Sequence, residues 1–177
     1  MKNLVFVLIA GIFITSCTAS KENSTAKVDK KAAEKEMVKR AVEARQYIIR
    51  MDKIYMQGGG TTELVPKSNF FIMNGEIASV SLAYVGKSYF IRPITGINFN
   101  GQTVRYDMQS NSEKGTYEIQ VEIVKGGDKF NFYLTIGTSG YCSISLNNPY
   151  IQSVSYRGTL VPISQTENSP AVMKEKL

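Results

Sequence analysis

The sequence predicts an all-β fold with one N-terminal helix, its antiparallel meander closing as a sandwich or an open barrel. Two observations predict it: a two-residue apolar period beyond Tyr47, and short glycine-bearing turns between the apolar runs. The clearest alternation sets Tyr117, Ile119, Val121 and Ile123 on one face and Glu118, Gln120 and Glu122 on the other. A strand of that kind is half buried.

The elements follow in chain order. Lys2, an apolar run from Leu4 to Ile14 and the tetrapeptide Ile14-Thr15-Ser16-Cys17 have the layout of a secretory leader over residues 1–16. As a helix that run would be roughly 16 Å long, about half the hydrocarbon core of a bilayer. A permanent transmembrane helix is therefore the weaker reading. An aliphatic residue, two small residues and a cysteine resemble the lipobox of bacterial lipoproteins, which puts cleavage between Ser16 and Cys17 and lipid on the Cys17 thiol. An ordinary leader cut at small residues is the alternative. Each buried methylene contributes about 0.8 kcal/mol, so two or three acyl chains would hold the chain on a membrane.

Residues 17–27 are small and polar and read as a flexible tether. Residues 28–45 are rich in Ala, Glu, Lys and Met, and Met37, Val38, Ala41 and Val42 form a narrow apolar stripe, so an amphipathic helix is expected there. Eight basic residues from Lys21 to Arg45 face five acidic ones, within an overall charge of +6. That excess reads either as attraction to anionic headgroups beside the anchor or as a solvated helix face. Nucleic acid is excluded as a partner because export separates the chain from it.

Residues 46–163 form the expected antiparallel β domain. A two-residue turn at Gly126-Gly127 sets Ile123 opposite Phe130, Val121 opposite Phe132, Ile119 opposite Leu134 and Tyr117 opposite Ile136. Centring the turn on Gly127-Asp128 slips the partners and leaves the faces unchanged. A three-residue connection at Thr138-Ser139-Gly140 then puts Cys142 against Ile136, Ile144 against Leu134 and Leu146 against Phe132. Asn74-Gly75 joins Phe70–Met73 to Ile77–Val85. Asn100-Gly101 is a hairpin signal placing Ile97 and Phe99 on one face with Val104, Tyr106 and Met108. Strands are also expected near Tyr47–Met56 and Val154–Pro162. Gly58-Gly59-Gly60 reads as a flexible linker between strands. Residues 164–177 are polar, carry Pro170 and read as a C-terminal tail.

Composition narrows the chemistry. With Cys17 acylated, Cys142 is the remaining thiol, so the domain relies on its core without an internal disulfide. There is no histidine, which removes the usual general base and the commonest metal ligand. Asp52, Glu63, Glu76, Asp107, Glu118 and Glu122 make no ligand-spaced cluster. No catalytic residue, metal or cofactor is expected. Gly86 and Gly158 interrupt strand-like runs, where a missing side chain marks a bulge or a close backbone approach. Tyr84, Tyr89 and Tyr156 are the candidate binding surface, or else core rings with wet hydroxyls.

Leu82-Ala83-Tyr84-Val85-Gly86-Lys87 is similar to a Leu-Pro-Tyr-Phe-Gly-Arg block, and Val154-Ser155-Tyr156-Arg157-Gly158 to a closing Ile-Ser-Tyr-x-Gly block. Phe99-Asn100-Gly101 matches a third signature. On these blocks the chain resembles domain of unknown function 4251, a family of envelope lipoproteins of Bacteroides-type bacteria, over roughly Glu43 to Pro162. Ala83 and Val85 stand where that family has Pro and Phe. The resemblance implies an all-β domain behind a lipobox, and no catalytic assignment.

The expected function is a lipid-anchored, non-catalytic binding or structural module for another envelope component, protein or glycan. The alternative is a barrel carrying a small apolar ligand between Tyr117, Phe130, Phe132 and Leu134. A hydrolase using Ser and Lys, or paired acids, is a third reading. Thr18-Ala19-Ser20-Lys21-Glu22 lacks the acidic run associated with surface display in similar lipoproteins, which favours the periplasmic face of the outer membrane. Substituting Cys17→Ser should move the protein from the membrane pellet to the soluble periplasmic fraction; continued sedimentation with membranes would refute lipid anchoring.

Overall fold

The computed structural model describes residues 22–87 and 95–163, with side chains from residue 27 onward. The leader, Cys17 and the tail at 164–177 lie outside the described residues. The chain divides into two compact units, Met1–Ala32 and Ala33–Leu177. The described part of the first is helical throughout.

One helix, α1 (Glu22–Glu43), precedes nine strands: β1 (Gln46–Tyr55), β2 (Thr61–Glu63), β3 (Phe70–Asn74), β4 (Ile77–Ala83), β5 (Gly96–Asn111), β6 (Thr116–Lys125), β7 (Asp128–Gly137), β8 (Tyr141–Asn148) and β9 (Ile151–Pro162). The helix begins earlier than expected, so Glu22–Lys27 is helical rather than flexible tether. No Gly or Pro lies between Cys17 and Met56 to interrupt it. It ends where Arg45 enters the left-handed region with φ 53°. The Gly75 amide donates to the Arg45 carbonyl at 2.9 Å, and the Arg45 guanidinium lies 4.5 Å from the Tyr106 ring centroid. These contacts hold a conformation that is costly for a residue with a Cβ.

All nine strands join one antiparallel sheet, and β1 also pairs with β9. Eight strands therefore close into a barrel. β2 is the extra strand, lengthening the β1 edge that β3 begins. Of the two closures open to the sequence, the barrel is the one formed.

Interior positions are filled by side chains, as the bore of an eight-stranded barrel permits. Tyr47, Ile49, Met51, Phe71, Val80, Val121, Phe132, Ile136, Ile144 and Tyr156 are fully buried, joined by Val38, Ala41 and Val42 of α1. That is the expected helical stripe, with Met37 partly buried at its margin. Tyr106 donates its hydroxyl proton to the Val42 carbonyl at 3.2 Å, so the hydroxyl of Tyr47, 3.4 Å away, donates to Tyr106. Outward positions on β6 are Glu118, Gln120 and Glu122, the reverse of a transmembrane barrel with its apolar lipid-facing band.

The β6–β7 and β7–β8 pairings are those expected from alternation and turn length, from Ile123↔Phe130 to Tyr117↔Ile136 and from Ile136↔Cys142 to Phe132↔Leu146. Gly126 and Gly127 both take positive φ, 60° and 94°, as a primed two-residue turn requires. Cys142 points inward and its thiol lies 3.1 Å from the Gly140 carbonyl.

Two further expectations fail. Asn100-Gly101 makes no hairpin, and β5 runs through it as one long strand. Inward parity changes along β5, from Ile97 and Phe99 to Tyr106, at a bulge between Thr103 and Arg105, which leaves Val104 exposed. A Cβ on Gly101 would lie 2.4 Å from the Ile123 side chain, so glycine marks close packing rather than a bend. Gly58-Gly59-Gly60 is a tight turn rather than a flexible linker: the Met56 amide donates to the Gly60 carbonyl at 2.8 Å and seats β2 against β1.

Gly158 is the expected close approach. It pairs with Met51 at a bulge between Met51 and Lys53, and a Cβ on it would stand 2.3 Å from the Arg50 carbonyl oxygen. Gly158→Ala should force the closing strands apart and lower stability by about 1–3 kcal/mol in urea denaturation; an unchanged midpoint would mean the seam tolerates the methyl. Burial pushes the Cys142 thiol from 9.0 up to about 12, and raises the hydroxyls of Tyr47, Tyr106 and Tyr156. An acid with a raised folded pKa contributes stability that is intact below its unfolded pKa and lost as pH rises towards the folded one. Urea midpoints should therefore decline from about pH 9 upward, and equal midpoints at about pH 8 and pH 11 would contradict that burial.

Candidate functional site

Two tyrosines expected to form a surface are part of the core. Val154, Tyr156, Gly158 and Leu160 share the inward parity of β9, and Tyr156 is fully buried with its hydroxyl donating to the Ala83 carbonyl at 2.9 Å. Tyr84 is 3% exposed, and its hydroxyl lies 2.6 Å from the Lys87 carbonyl and 3.2 Å from that of Gln152. Burial, and then the neighbouring Tyr84, push the Tyr156 hydroxyl well up. Both rings pin the chain after β4 to the barrel and present no binding surface. Tyr89, Ser16 and Cys17 lie outside the described residues.

The four side chains assigned to a carrier cavity are likewise packed. Tyr117, Phe132 and Leu134 are buried and Phe130 partly so. The Phe71 and Phe132 rings stand 5.1 Å apart, and those of Phe99 and Phe130 4.4 Å apart. Aromatic contacts at these spacings are cohesive, and they occupy the bore that a ligand would need.

The outer wall offers more. Because Phe132 and Leu134 point inward, Tyr133 between them points outward and is 45% exposed. Cross-strand register carries a row of outward side chains across seven strands: Asp107, Gln120, Tyr133, Ser145, Ser155, Tyr55 and Thr61. At its centre the Ser145 and Ser155 hydroxyls lie 2.8 Å apart, between two exposed tyrosines. Three strand spacings of about 4.8 Å set Tyr133 and Tyr55 about 14 Å apart. The neighbouring row runs Glu118, Thr135, Ser143, Arg157, Lys53 and Glu63. Tyr141 and Thr159 follow on the same face, Tyr141 two-thirds exposed.

Charge on this wall is largely met within it. Arg157 pairs with Asp52 at 3.0 Å, Lys53 with Glu63 at 2.6 Å, Lys129 with Glu122 at 2.9 Å and Arg105 with Asp107 at 2.5 Å. The Asp52 carboxylate, by hydrogen bond and by charge, raises the Arg157 guanidinium further above its ordinary value. Such exposed pairs add little stability. Their effect is to leave a wall of hydroxyls, amides and tyrosine rings with little unbalanced charge. On the β5 side of Tyr133 an open groove of about 320 Å³ is lined by Arg105, Asp107, Gln109, Glu118, Gln120 and Thr135.

Two other grooves are built differently. One, an open groove of about 460 Å³ near Asn69, is lined by polar groups that already bond one another: the Asn69 side chain donates to the Val65 carbonyl at 3.0 Å and accepts from the Ala83 amide at 2.7 Å, while Ser81 bonds Ser68 and Asn98. The second is apolar, between Met37, Ala41 and Ala44 of α1 and Pro162, with the Glu36–Arg40 pair at its margin. Among the described residues no group of three potential metal ligands converges. Sequence reasoning missed Tyr133 and Tyr55 because it weighed the tyrosines of the similar blocks. The alternation of β7 already placed Tyr133 outside.

No curated protein matches this chain. The crystal structure of a DUF4251 family protein from Bacteroides eggerthii DSM 20697 is similar in fold, with a TM-score of 0.63 at 17% identity, covering 81% of this chain and 97% of that one. The family profile for "Domain of unknown function (DUF4251)" matches residues 29–160, which takes in most of α1 and the barrel through Leu160. The three sequence blocks at Leu82–Lys87, Phe99–Gly101 and Val154–Gly158 fall inside that span, and the chain belongs to the DUF4251 family.

Proposed function

We propose that this protein is a lipid-anchored cell-envelope module that binds another envelope component without catalysis, held by acyl chains on Cys17 at the periplasmic face of the outer membrane. The leader-like run and the lipobox-like Ile14-Thr15-Ser16-Cys17 support the anchor. The absence of histidine from the sequence supports a role outside acid–base chemistry. One observation carries the binding reading: the barrel's bore is filled by its own side chains, while Tyr55, Tyr133 and Tyr141 stand exposed on one wall. Exposed tyrosines supply large, stiff contact area at small entropic cost, and they are enriched at recognition surfaces. Packing inside and aromatic contact area outside support recognition by the wall rather than by the bore.

A photo-crosslinking residue, p-benzoyl-phenylalanine, placed at Tyr133 in intact cells should give discrete products that are absent when it is placed at exposed Val65. The same scattered neighbours from both positions would defeat the binding reading.

A further inference from the structure

We propose that the outward wall of β7, β8, β9 and β1 is a binding site for an uncharged glycan, with sugar rings lying against Tyr133 and Tyr55 over the Ser145–Ser155 floor. This inference rests on the binding reading above and names the ligand class of that wall.

The chemistry of a neutral saccharide is two-sided. Its ring faces present C–H groups that pack on aromatic planes, and its edges carry hydroxyls that each donate and accept. A matching surface needs exposed rings, rotatable hydroxyls or amides between them, and no unpaired charge to desolvate. The wall meets each need with named groups. Tyr133 and Tyr55 are 45% and 38% exposed and bracket the row. Between and beside them stand the hydroxyls of Ser145, Ser155, Ser143 and Thr135, with the Gln120 amide 3.4 Å from the Tyr133 hydroxyl. Hydroxyl protons rotate to suit a partner, so this floor can answer either donors or acceptors.

The separation of the two rings, about 14 Å across three strand spacings, suits a short run of sugar units rather than a single one. Charge complementarity selects against other ligands. On this wall Arg157 is engaged by Asp52, Lys53 by Glu63 of the flanking β2 and Lys129 by Glu122 of the flanking β6, Arg50 opposite Thr159 is also engaged, and on β5 Arg105 pairs with Asp107, so an anionic polymer or headgroup would have to break pairs already made. An added peptide strand needs a long free sheet edge; at this wall β8 and β9 are paired on both sides, and the edge left by β2 is three residues long. Aromatic walls, a hydroxyl floor and internally balanced charge leave a neutral glycan as the fitting occupant. Other barrels accept oligosaccharides on the faces of their strands in the same way.

The test is native electrophoresis of the full chain without its leader through gels cast with dextran, mannan or xylan, with a polygalacturonate gel as the anionic comparison. Retardation by at least one neutral polymer is expected. Tyr133→Ala and Tyr55→Ala should each weaken it by about five-fold or more, the loss typical of a central interface aromatic. Tyr133→Phe should retain most of it, since the ring plane remains, and Val65→Ser should not change it. Both alanine variants should still unfold in one cooperative transition well above the assay temperature, because neither ring belongs to the buried core. No retardation by any neutral polymer, retardation by polygalacturonate alone, or full retardation of both alanine variants would overturn the glycan assignment. Discrete protein crosslinks from Tyr133 in cells without neutral-polymer retardation would remove the glycan and leave the binding reading standing; scattered crosslinks would remove both.

Discussion

The pairing of β1 with β9 is the contact that turns a sheet into a barrel, and the rest of the molecule depends on it. Without it, eight strands would be an open sheet with two unpaired edges and an apolar face needing cover. With it, that face becomes the bore and covers itself. The seam is demanding because it joins strands from opposite ends of the domain, and because β1 carries a bulge where Asp52 is passed over between Met51 and Lys53. Gly158 is the residue that lets the backbones meet there. On one side of the bulge Asp52 reaches Arg157, so the irregularity is held from the surface as well as from the core.

Bulges also decide which side chains see solvent. Inward parity along β1 passes from Tyr47, Ile49 and Met51 to Ile54, and along β5 from Ile97 and Phe99 to Tyr106. A strand that changes parity can follow a barrel's curvature while keeping its apolar residues inside. The shift in β1 is what sends Tyr55 outward to meet the row begun by Tyr133. The candidate face is thus a by-product of how the barrel closes, since it needs both the alternation of β7 and the irregularity of β1.

Local features of this fold were legible in the sequence, and distant ones were not. The β6–β7–β8 register could be read to the residue because turn length and alternation, both local, fix it. Asn100-Gly101 misled because a glycine that serves a hairpin turn serves equally well where a strand packs closely, as Gly101 does against Ile123. The choice between sandwich and barrel rests on β1 meeting β9, and no periodicity within either strand encodes a partner a hundred residues away. The tyrosines show the same division. Tyr84 and Tyr156 sit in the blocks that identify the family, and they belong to the packing that holds the loop after β4. Tyr133 and Tyr55 become neighbours in a row only when strands distant in sequence are aligned.

The seam also fixes where the barrel's strand path begins and ends. Tyr47 lies opposite Pro162, so the chain enters and leaves the barrel at one rim, beside the turns that follow β3, β5 and β7. The opposite rim carries the turns after β1, β6 and β8, with Tyr55 at the end of β1 and exposed Tyr150 between β8 and β9. Strands β1 and β9 therefore open and close the barrel at the same rim, and the seam runs the height of the wall from Tyr47 and Pro162 to Tyr55 and Ser155. Part of the tyrosine-bearing wall, Tyr55 included, lies towards the rim away from both of these chain crossings.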